Sequence, residues 1–339
     1  MDAIFLNYIT DASLLILFVI ISVLIYILGK GADIMVDEAV KLSSRLGISK
    51  VLIGVTIVSV GTTVPEASIS VLAAFQGRPE IALGNAVGSI ICDTGLILGL
   101  VTLFSPISLN NKIIYRQEWF QLGSGILLVL ACIPYFSQES IFETGGILPQ
   151  YMGIFFLVLL AIYLYGSLRF MKKDDNTGDL DYDEISNDSI LYIGGKVFFG
   201  AGLVVISSHF LIPAVQESAL RLSISEGIIS ATLVAFGTSL PELVTAITAV
   251  RKGCGELALG NIIGANILNV LFVAGAAASV TSSGLEAPVH FFKILFPAMI
   301  GSLIIFRLGI HYSGKKFKRG FSVALLSTYI LVTLSSYVG

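Results

Sequence analysis

Gly61-Thr62-Thr63-Val64-Pro65-Glu66 recurs as Gly237-Thr238-Ser239-Leu240-Pro241-Glu242. Gly84-Asn85-Ala86-Val87-Gly88 recurs as Gly260-Asn261-Ile262-Ile263-Gly264, at the same 176-residue offset. Arg45-Leu46 and Ile48-Ser49 also return as Arg221-Leu222 and Ile224-Ser225. The chain is therefore a duplication without a gap between its repeated blocks. Each copy sets a glutamate inside an apolar stretch, directly after a proline. A carboxylate at membrane depth is costly and marks a functional site by default.

Composition puts these segments in a bilayer. Of 339 residues, 55% are hydrophobic and 13% charged, with a mean hydropathy of +0.91. A soluble domain carries about a quarter charged residues. The apolar runs approach the ~20 residues that span a bilayer as a helix, and the ten-residue alternation of a membrane β-barrel is absent. The net charge of −3 argues for no nucleic-acid partner. Asp2 and Asp11 precede the first apolar run without any Lys or Arg, so that run reads as a retained helix rather than a signal peptide. Cys92, Cys132 and Cys254 have neither disulfide nor metal-ligand spacing and read as packing residues.

The expected fold is an all-α integral membrane protein of about ten transmembrane helices in two inverted-topology five-helix repeats. The expected spans are 12–29, 46–73, 80–104, 120–137, 150–170, 190–214, 225–250, 256–280, 288–309 and 319–338. Residues 1–170 form the first repeat, with its duplicated segment at about 46–104. Residues 190–339 form the second, with its duplicated segment at about 225–280. Between them, 171–189 read as an acidic linker whose spacing does not fit an EF-hand loop. With these spans, 17 of the 20 Lys and Arg residues fall on one side and only Arg78, Arg221 and Lys293 on the other. By the positive-inside rule the linker is cytoplasmic and both termini are outside. Five helices per half is an odd number, so the second half enters upside down, an arrangement that places sites near the midplane between repeats.

The repeated segment carries the chemistry. Pro65 lacks an N–H, which frees a carbonyl one turn earlier, near Gly61. That carbonyl, the hydroxyls of Thr62 and Thr63 and the carboxylate of Glu66 are hard oxygen donors. Gly237, Thr238, Ser239 and Glu242 supply the same set. Such donors suit Ca²⁺, which takes about six to eight oxygens. The absence of His and Cys disfavours zinc, copper and iron. Gly-Asn-x-x-Gly reads as a close-packing motif. After it, Ser89 and Asp93 lie four apart on one helix face; their counterparts are Ala265 and Asn269. The alternative for Glu66 and Glu242, a capping or bridging role, would want a matching Arg or Lys, and neither repeat core holds one. A bridging hydrogen bond is the alternative for Asp93. His209 reads as a packing or helix–helix hydrogen-bonding residue, and Trp119 and Tyr115 as interfacial anchors.

The two prolyl-glutamate segments, each followed by its Gly-Asn helix, resemble the two α-repeats of sodium/calcium exchangers, in particular the compact prokaryotic members. The resemblance covers essentially the whole chain. It implies Ca²⁺ bound by Glu66, Glu242 and the backbone carbonyls of Thr62 and Thr238. It implies Na⁺ bound by the carbonyls of Ser59 and Ala235 with Thr63, Ser89, Thr238 and Ser239, while Asp93 and Asn269 flank the central site. It also implies exchange of three Na⁺ for one Ca²⁺ by alternating access, with helices one and six sliding against the other eight. There are departures. Asp93 and Asn269 interchange the Asn and Asp usual in compact members, and Ala265 replaces an expected serine ligand. Asn269, where potassium-dependent relatives keep Asp, argues against K⁺ transport. Gly88 and Gly264, near where cation/proton exchangers carry a glutamate, favour sodium coupling.

The function expected is a plasma-membrane antiporter taking Na⁺ inward and Ca²⁺ outward. H⁺/Ca²⁺ exchange, or Na⁺ coupled to another divalent such as Mg²⁺, are the alternatives. An intramembrane enzyme would need a nucleophile or an aspartyl pair, and a channel would pass ions without a counter-ion. No enzyme activity and no cofactor are expected beyond the transported ions, and a monomer in the lipid bilayer suffices.

Overall fold

The computed structural model describes residues 2–109, 111–134, 140–171, 188–222 and 237–338. The described residues are helical apart from one small ladder, an isolated bridge between Ser108 and Lys316, and the connecting turns. The helices are α1 (Asp2–Asp11), α2 (Leu14–Leu46), α3 (Lys50–Phe75), α4 (Pro79–Phe104), α5 (Lys112–Ala131), α6 (Ile141–Thr144), α7 (Gln150–Met171), α8 (Ile190–Arg221), α9 (Leu240–Arg251), α10 (Gly255–Ser279), α11 (Phe291–Ser313) and α12 (Arg319–Val338). Strands β1 (Gly146–Leu148) and β2 (Leu285–Ala287) pair antiparallel, with Ile147 opposite Glu286. Among the described residues, seven helices are long and apolar enough to cross a membrane: α2, α3, α4, α7, α8, α10 and α11.

Helix ends follow local chemistry. Ser13 and Ser49 cap α2 and α3 by accepting from Ile16 N and Leu52 N. Asn111 caps α5 through Ile113 N at 2.9 Å. Gly47 ends α2 in the left-handed region, φ 67°, a conformation that glycine adopts at little cost. Several expected boundaries shift. The first span, expected to stop at 29, continues to Leu46. At 33 residues α2 is about 50 Å long, well beyond a ~30 Å hydrocarbon core, so its charged last turns stand clear of the lipid. The fourth span begins eight residues before the expected 120, because Asn111 starts the helix and its polar first turns find partners. Arg307 Nη1 donates to Glu118 Oε1 at 2.8 Å, and Tyr163 Oη donates to Gln117 Oε1 at 2.9 Å. Trp119, expected as an anchor, is exposed and also lies under the Arg307 guanidinium. Helix α8 runs through Pro213 to Arg221. Helix α1 and the β1–β2 ladder had no sequence signal. The linker residues 172–187 and the first part of the seventh span, 223–236, lie outside the described residues.

The duplicated segments form the centre. Helix α10 is 94% buried over its most apolar window, whereas α2 and α7 are each 17% buried and turn most of their surface to lipid. The centre closes by backbone contact at glycines. A Cβ on Gly260 would stand 2.2 Å from the Val51 carbonyl oxygen, and one on Gly264 2.5 Å from that of Val55. Small residues allow this approach between helices in lipid. The outer pair α2 and α8 packs in the same way where Gly31 meets Gly200.

Loops sort into two groups by mutual contact. Leu109 N donates to Lys315 O and Phe317 N to Ile107 O, and Asn111 Nδ2 reaches Glu256 Oε2. Lys252, in the α9–α10 turn, bonds Asp37 Oδ1 at 2.7 Å, Asp33 Oδ1 at 3.2 Å and Asp33 O at 3.1 Å. These contacts join the Lys- and Arg-rich segments to one another. At the other group, β1 pairs with β2, Gln150 Nε2 donates to Ser279 O, and Arg221 donates to the carbonyls of Ile9, Thr10 and Ala12. Among the described residues, the Lys252 ion pairs are the only ones tying α2 or α8 to the remaining helices.

Two outcomes are expected. Gly260→Leu forces α3 from α10 and costs about 1–3 kcal/mol or more by overpacking, seen as loss of monodisperse protein or a lower Tm. Gly123→Ala, on an exposed face, leaves both unchanged. Second, partial burial works to lower the Lys252 pKa, but Asp37 and Asp33 outweigh it and hold it above the ordinary lysine value. A raised pKa in the folded state means that the tie contributes fully below the ordinary lysine pKa of about 10.4 and fades as pH climbs through the raised value. Amide exchange at the end of α2 therefore stays slow at pH 7 and quickens in Lys252→Gln; equal protection in both would refute the tie.

Candidate functional site

Helix α3 opens with an α-helical turn, Lys50–Ile53, passes through a π-helical turn, Gly54–Val58, and continues as a regular helix through Pro65 to Phe75. The proline does not break it. The missing N–H of Pro65 instead leaves the Gly61 carbonyl without its usual helical donor. In the second half Pro241 stands at the start of α9, so the two copies place their proline differently. On α3, Ser59, Thr62, Thr63, Glu66 and Ser70 recur at helical spacing and form one fully buried polar stripe.

Glu66, Asp93 and Glu242 are each 1% exposed. Glu242 lies within Coulombic reach of both Glu66 and Asp93, and Glu66 within reach of Asp93. The Thr62 hydroxyl sits beside Glu242 and the Ser239 hydroxyl beside Asp93, although neither Ser239 Oγ nor the Asp93 oxygens close a hydrogen bond. Both oxygens of Glu66 and of Asp93, and Oε2 of Glu242, lack a protein partner. Among the described residues, no Lys, Arg or His forms an ion pair with any of the three.

Neutral oxygen donors on the duplicated segments are buried as well. Thr63 Oγ1, Ser89 Oγ, Ser239 Oγ and Asn269 Oδ1 are buried and unpartnered. Thr62 Oγ1 lies 3.3 Å from both Ser59 O and Asn261 Oδ1. Ser59 uses its own hydroxyl on Val55 O at 2.6 Å, leaving its carbonyl as the group facing Thr62. Thr238 is half-buried. Ala235 lies outside the described residues. Ala265 is buried and brings no oxygen donor in its side chain.

Sequence reasoning missed some participants. It took Gly-Asn-x-x-Gly for packing alone, and its glycines do pack. Its asparagines, however, join the polar centre: Asn85 Nδ2 donates to Glu66 O at 3.2 Å and Ser70 Oγ at 3.0 Å, and Asn261 faces Thr62. The recurrence of the asparagine itself was the usable signal. Asn266, whose Nδ2 donates to Thr94 Oγ1 at 2.8 Å, occurs in one half only and so had none.

Chemically, this is a set of anionic and neutral hard oxygens. Among the described residues no three of His, Cys, Asp and Glu converge as a ligand group by themselves. Hydroxyl, amide and carbonyl oxygens must therefore complete any coordination shell. An unpaired buried carboxylate costs several kcal/mol, and three close together repel one another as well. A cation relieves both costs at once.

Comparison with known proteins agrees with this chemistry. The sequence pattern of the family described as sodium/calcium exchanger protein matches residues 15–169 and 194–338. The sodium/calcium exchanger MaX1 of Methanosarcina acetivorans is 30% identical, with 92% of this chain and 96% of that protein aligned. An uncharacterized membrane protein of Methanocaldococcus jannaschii is also 30% identical, over 91% and 94% of the two chains. The solved structure of the sodium-calcium exchanger NCX_Mj soaked with 10 mM Na⁺ and zero Ca²⁺ superposes with a TM-score of 0.78. It shares 26% identity, with 95% of this chain and 99% of that one covered.

If the carboxylates await a cation, removing one charge relieves repulsion in the empty site and weakens the filled one. In detergent free of Na⁺ and Ca²⁺, Glu66→Gln and Glu242→Gln should keep or raise the Tm. Added Ca²⁺ at a hundredfold its Kd stabilises the native chain by about 2.7 kcal/mol, and this gain should vanish in both variants. An undiminished Ca²⁺ shift in either would remove that residue from the site.

Proposed function

Since this chain belongs to the sodium/calcium exchanger family, we propose that it is a secondary antiporter carrying Na⁺ inward and Ca²⁺ outward across the plasma membrane by alternating access. The observation that carries the reading is the trio Glu66, Asp93 and Glu242, buried, drawn from both duplicated segments and, among the described residues, without an ion-pair partner. Three carboxylates cannot stay ionised and empty in low dielectric without strong repulsion. One Ca²⁺ or several Na⁺ would each neutralise them, and either occupancy excludes the other. Mutual exclusion at a single site is what antiport requires.

In this reading Glu66 and Glu242 hold Ca²⁺ with the carbonyls of Thr62 and Thr238. Na⁺ uses the carbonyls of Ser59 and Ala235 and the hydroxyls of Thr63, Ser89, Thr238 and Ser239. Asp93 and Asn269 line the centre. Ala265 withdraws one hydroxyl from the second half, so the sodium sites of the two halves differ in strength. Ten spanning helices form two inverted halves, residues 1–170 and 190–339, on either side of the linker 171–189. The division of the family match at residues 169 and 194 supports that boundary. The grouping of the basic loops by mutual contact supports a cytoplasmic linker and two outside termini. The donors of this reading are all residues of a single chain, which supports the monomer as the unit of transport.

Proteoliposomes with an imposed Na⁺ gradient or an imposed pH gradient test this. Radiolabelled Ca²⁺ uptake should follow the Na⁺ gradient, carry net charge, and disappear in Glu66→Gln and Glu242→Gln. Uptake driven by the pH gradient alone would replace the reading with H⁺/Ca²⁺ exchange. Competition by Mg²⁺ stronger than by Ca²⁺ would change the divalent, and flux without a counter-ion would make the protein a channel.

A further inference from the structure

Helices α4 and α10 are duplicates, so each position on one has a counterpart on the other under the 176-residue offset. Thr94 corresponds to Val270, and Asn266 to Ile90. One contact is polar: Asn266 Nδ2 donates to Thr94 Oγ1 at 2.8 Å, with both side chains fully buried. The mirror pair, Ile90 and Val270, is apolar. The hydrogen bond across the seam is therefore present in one orientation of the repeat and has no equivalent in the other. The arrangement is costly, because Asn266 Oδ1 is left buried without a partner, a cost that an isoleucine, as at position 90, avoids.

The position explains the cost. Thr94 directly follows Asp93, and Asn266 precedes Asn269 by three residues, on the same helix face. Both helices loosen here, α4 into a π-helical run over Cys92–Leu98 and α10 into another over Asn269–Ala274. Wide turns of this kind recur at functional sites and exchange the usual i→i−4 bonds for i→i−5 bonds, which rotates the side chains out of the register of a regular helix. The Asn266–Thr94 bond ties the two helices directly to each other at this point.

We propose that Thr94 and Asn266 are a positioning pair that sets the separation between Asp93 and Asn269, and thereby the size of cation the centre of the site accepts. The pair does not itself touch the ion; it acts through its neighbours. The proposal rests on the cation-site reading above but not on the direction or coupling of transport.

The test is a divalent series, Mg²⁺, Ca²⁺ and Sr²⁺, on the full chain. Each ion's apparent Kd comes from the thermal shift in detergent, and its KM and kcat from Na⁺-driven uptake. Thr94→Val keeps shape and removes the acceptor, Thr94→Ser restores it, and Asn266→Leu breaks the same bond from the other helix. Loss of the bond should weaken Ca²⁺ by about tenfold, an ordinary figure for one buried hydrogen bond. It should also change the Sr²⁺-to-Ca²⁺ preference, act on KM rather than kcat, and revert in Thr94→Ser. An unchanged preference ratio in Thr94→Val and Asn266→Leu would overturn the proposal. So would failure of both to fold, which would assign the bond to stability alone. If the native chain shows cation-dependent thermal shifts but no Na⁺-driven uptake, the antiport reading fails and the shifts still decide the role of the pair.

Discussion

Three buried carboxyl groups share the middle of this protein, and among the described residues no Lys, Arg or His forms an ion pair with them. In a soluble enzyme such a cluster could borrow screening from water or from a nearby lysine. Here Glu66, Asp93 and Glu242 sit within helices whose neighbours are other helices and then lipid. The cost of keeping them there falls only when a cation enters. The rest of the structure can be understood as what is needed to hold unpaired carboxylates at depth while leaving them reachable by ions.

Two features meet that need. Glycines let α3 and α10 approach until their backbones touch, at Gly260 and Gly264 against Val51 and Val55. Close backbones place short side chains such as serine, threonine and asparagine within a common volume, where longer ones would clash. Irregular backbone supplies the second feature. π-helical turns in α3, α4 and α10 replace the i→i−4 bonding of a regular helix beside the acids, and Pro65 leaves the Gly61 carbonyl without its helical donor. Carbonyl oxygens freed in this way persist only where protein or a polar cavity receives them. Away from the centre, charge returns to its ordinary place: Glu38 with Lys41 and Lys196, and Lys252 with Asp33 and Asp37, lie toward the ends of the helices.

Much of the site was legible because duplication repeats its chemistry. Glu66 with Glu242, and Thr62 and Thr63 with Thr238 and Ser239, stood out as polar residues returning at one interval in apolar surroundings. Residues without that echo were harder to find. Asn266 and Thr94 have apolar counterparts, and neither residue type is rare in a helix. Asn85 and Asn261 did recur, but the glycines beside them offered a sufficient packing explanation. Helix ends slipped where polar first turns, such as those of α5, find partners on α7 and α11 that are distant in sequence.

The sequence alone determined that the chain is a duplicated, helical membrane protein with acids in the centre of both copies, since hydropathy and recurrence are local properties. It also determined the sorting of basic residues between the loops. Only the tertiary structure decided that the carboxylates of the two copies lie within Coulombic reach of one another and that, among the described residues, none has a cationic partner. It alone decided which hydroxyls and amides stand unpaired beside them, and that one unsymmetrical hydrogen bond crosses the seam between α4 and α10. Those are relations between segments about 170 residues apart. They depend on how closely two helices pack, which glycine contacts and π-helical turns fix in three dimensions.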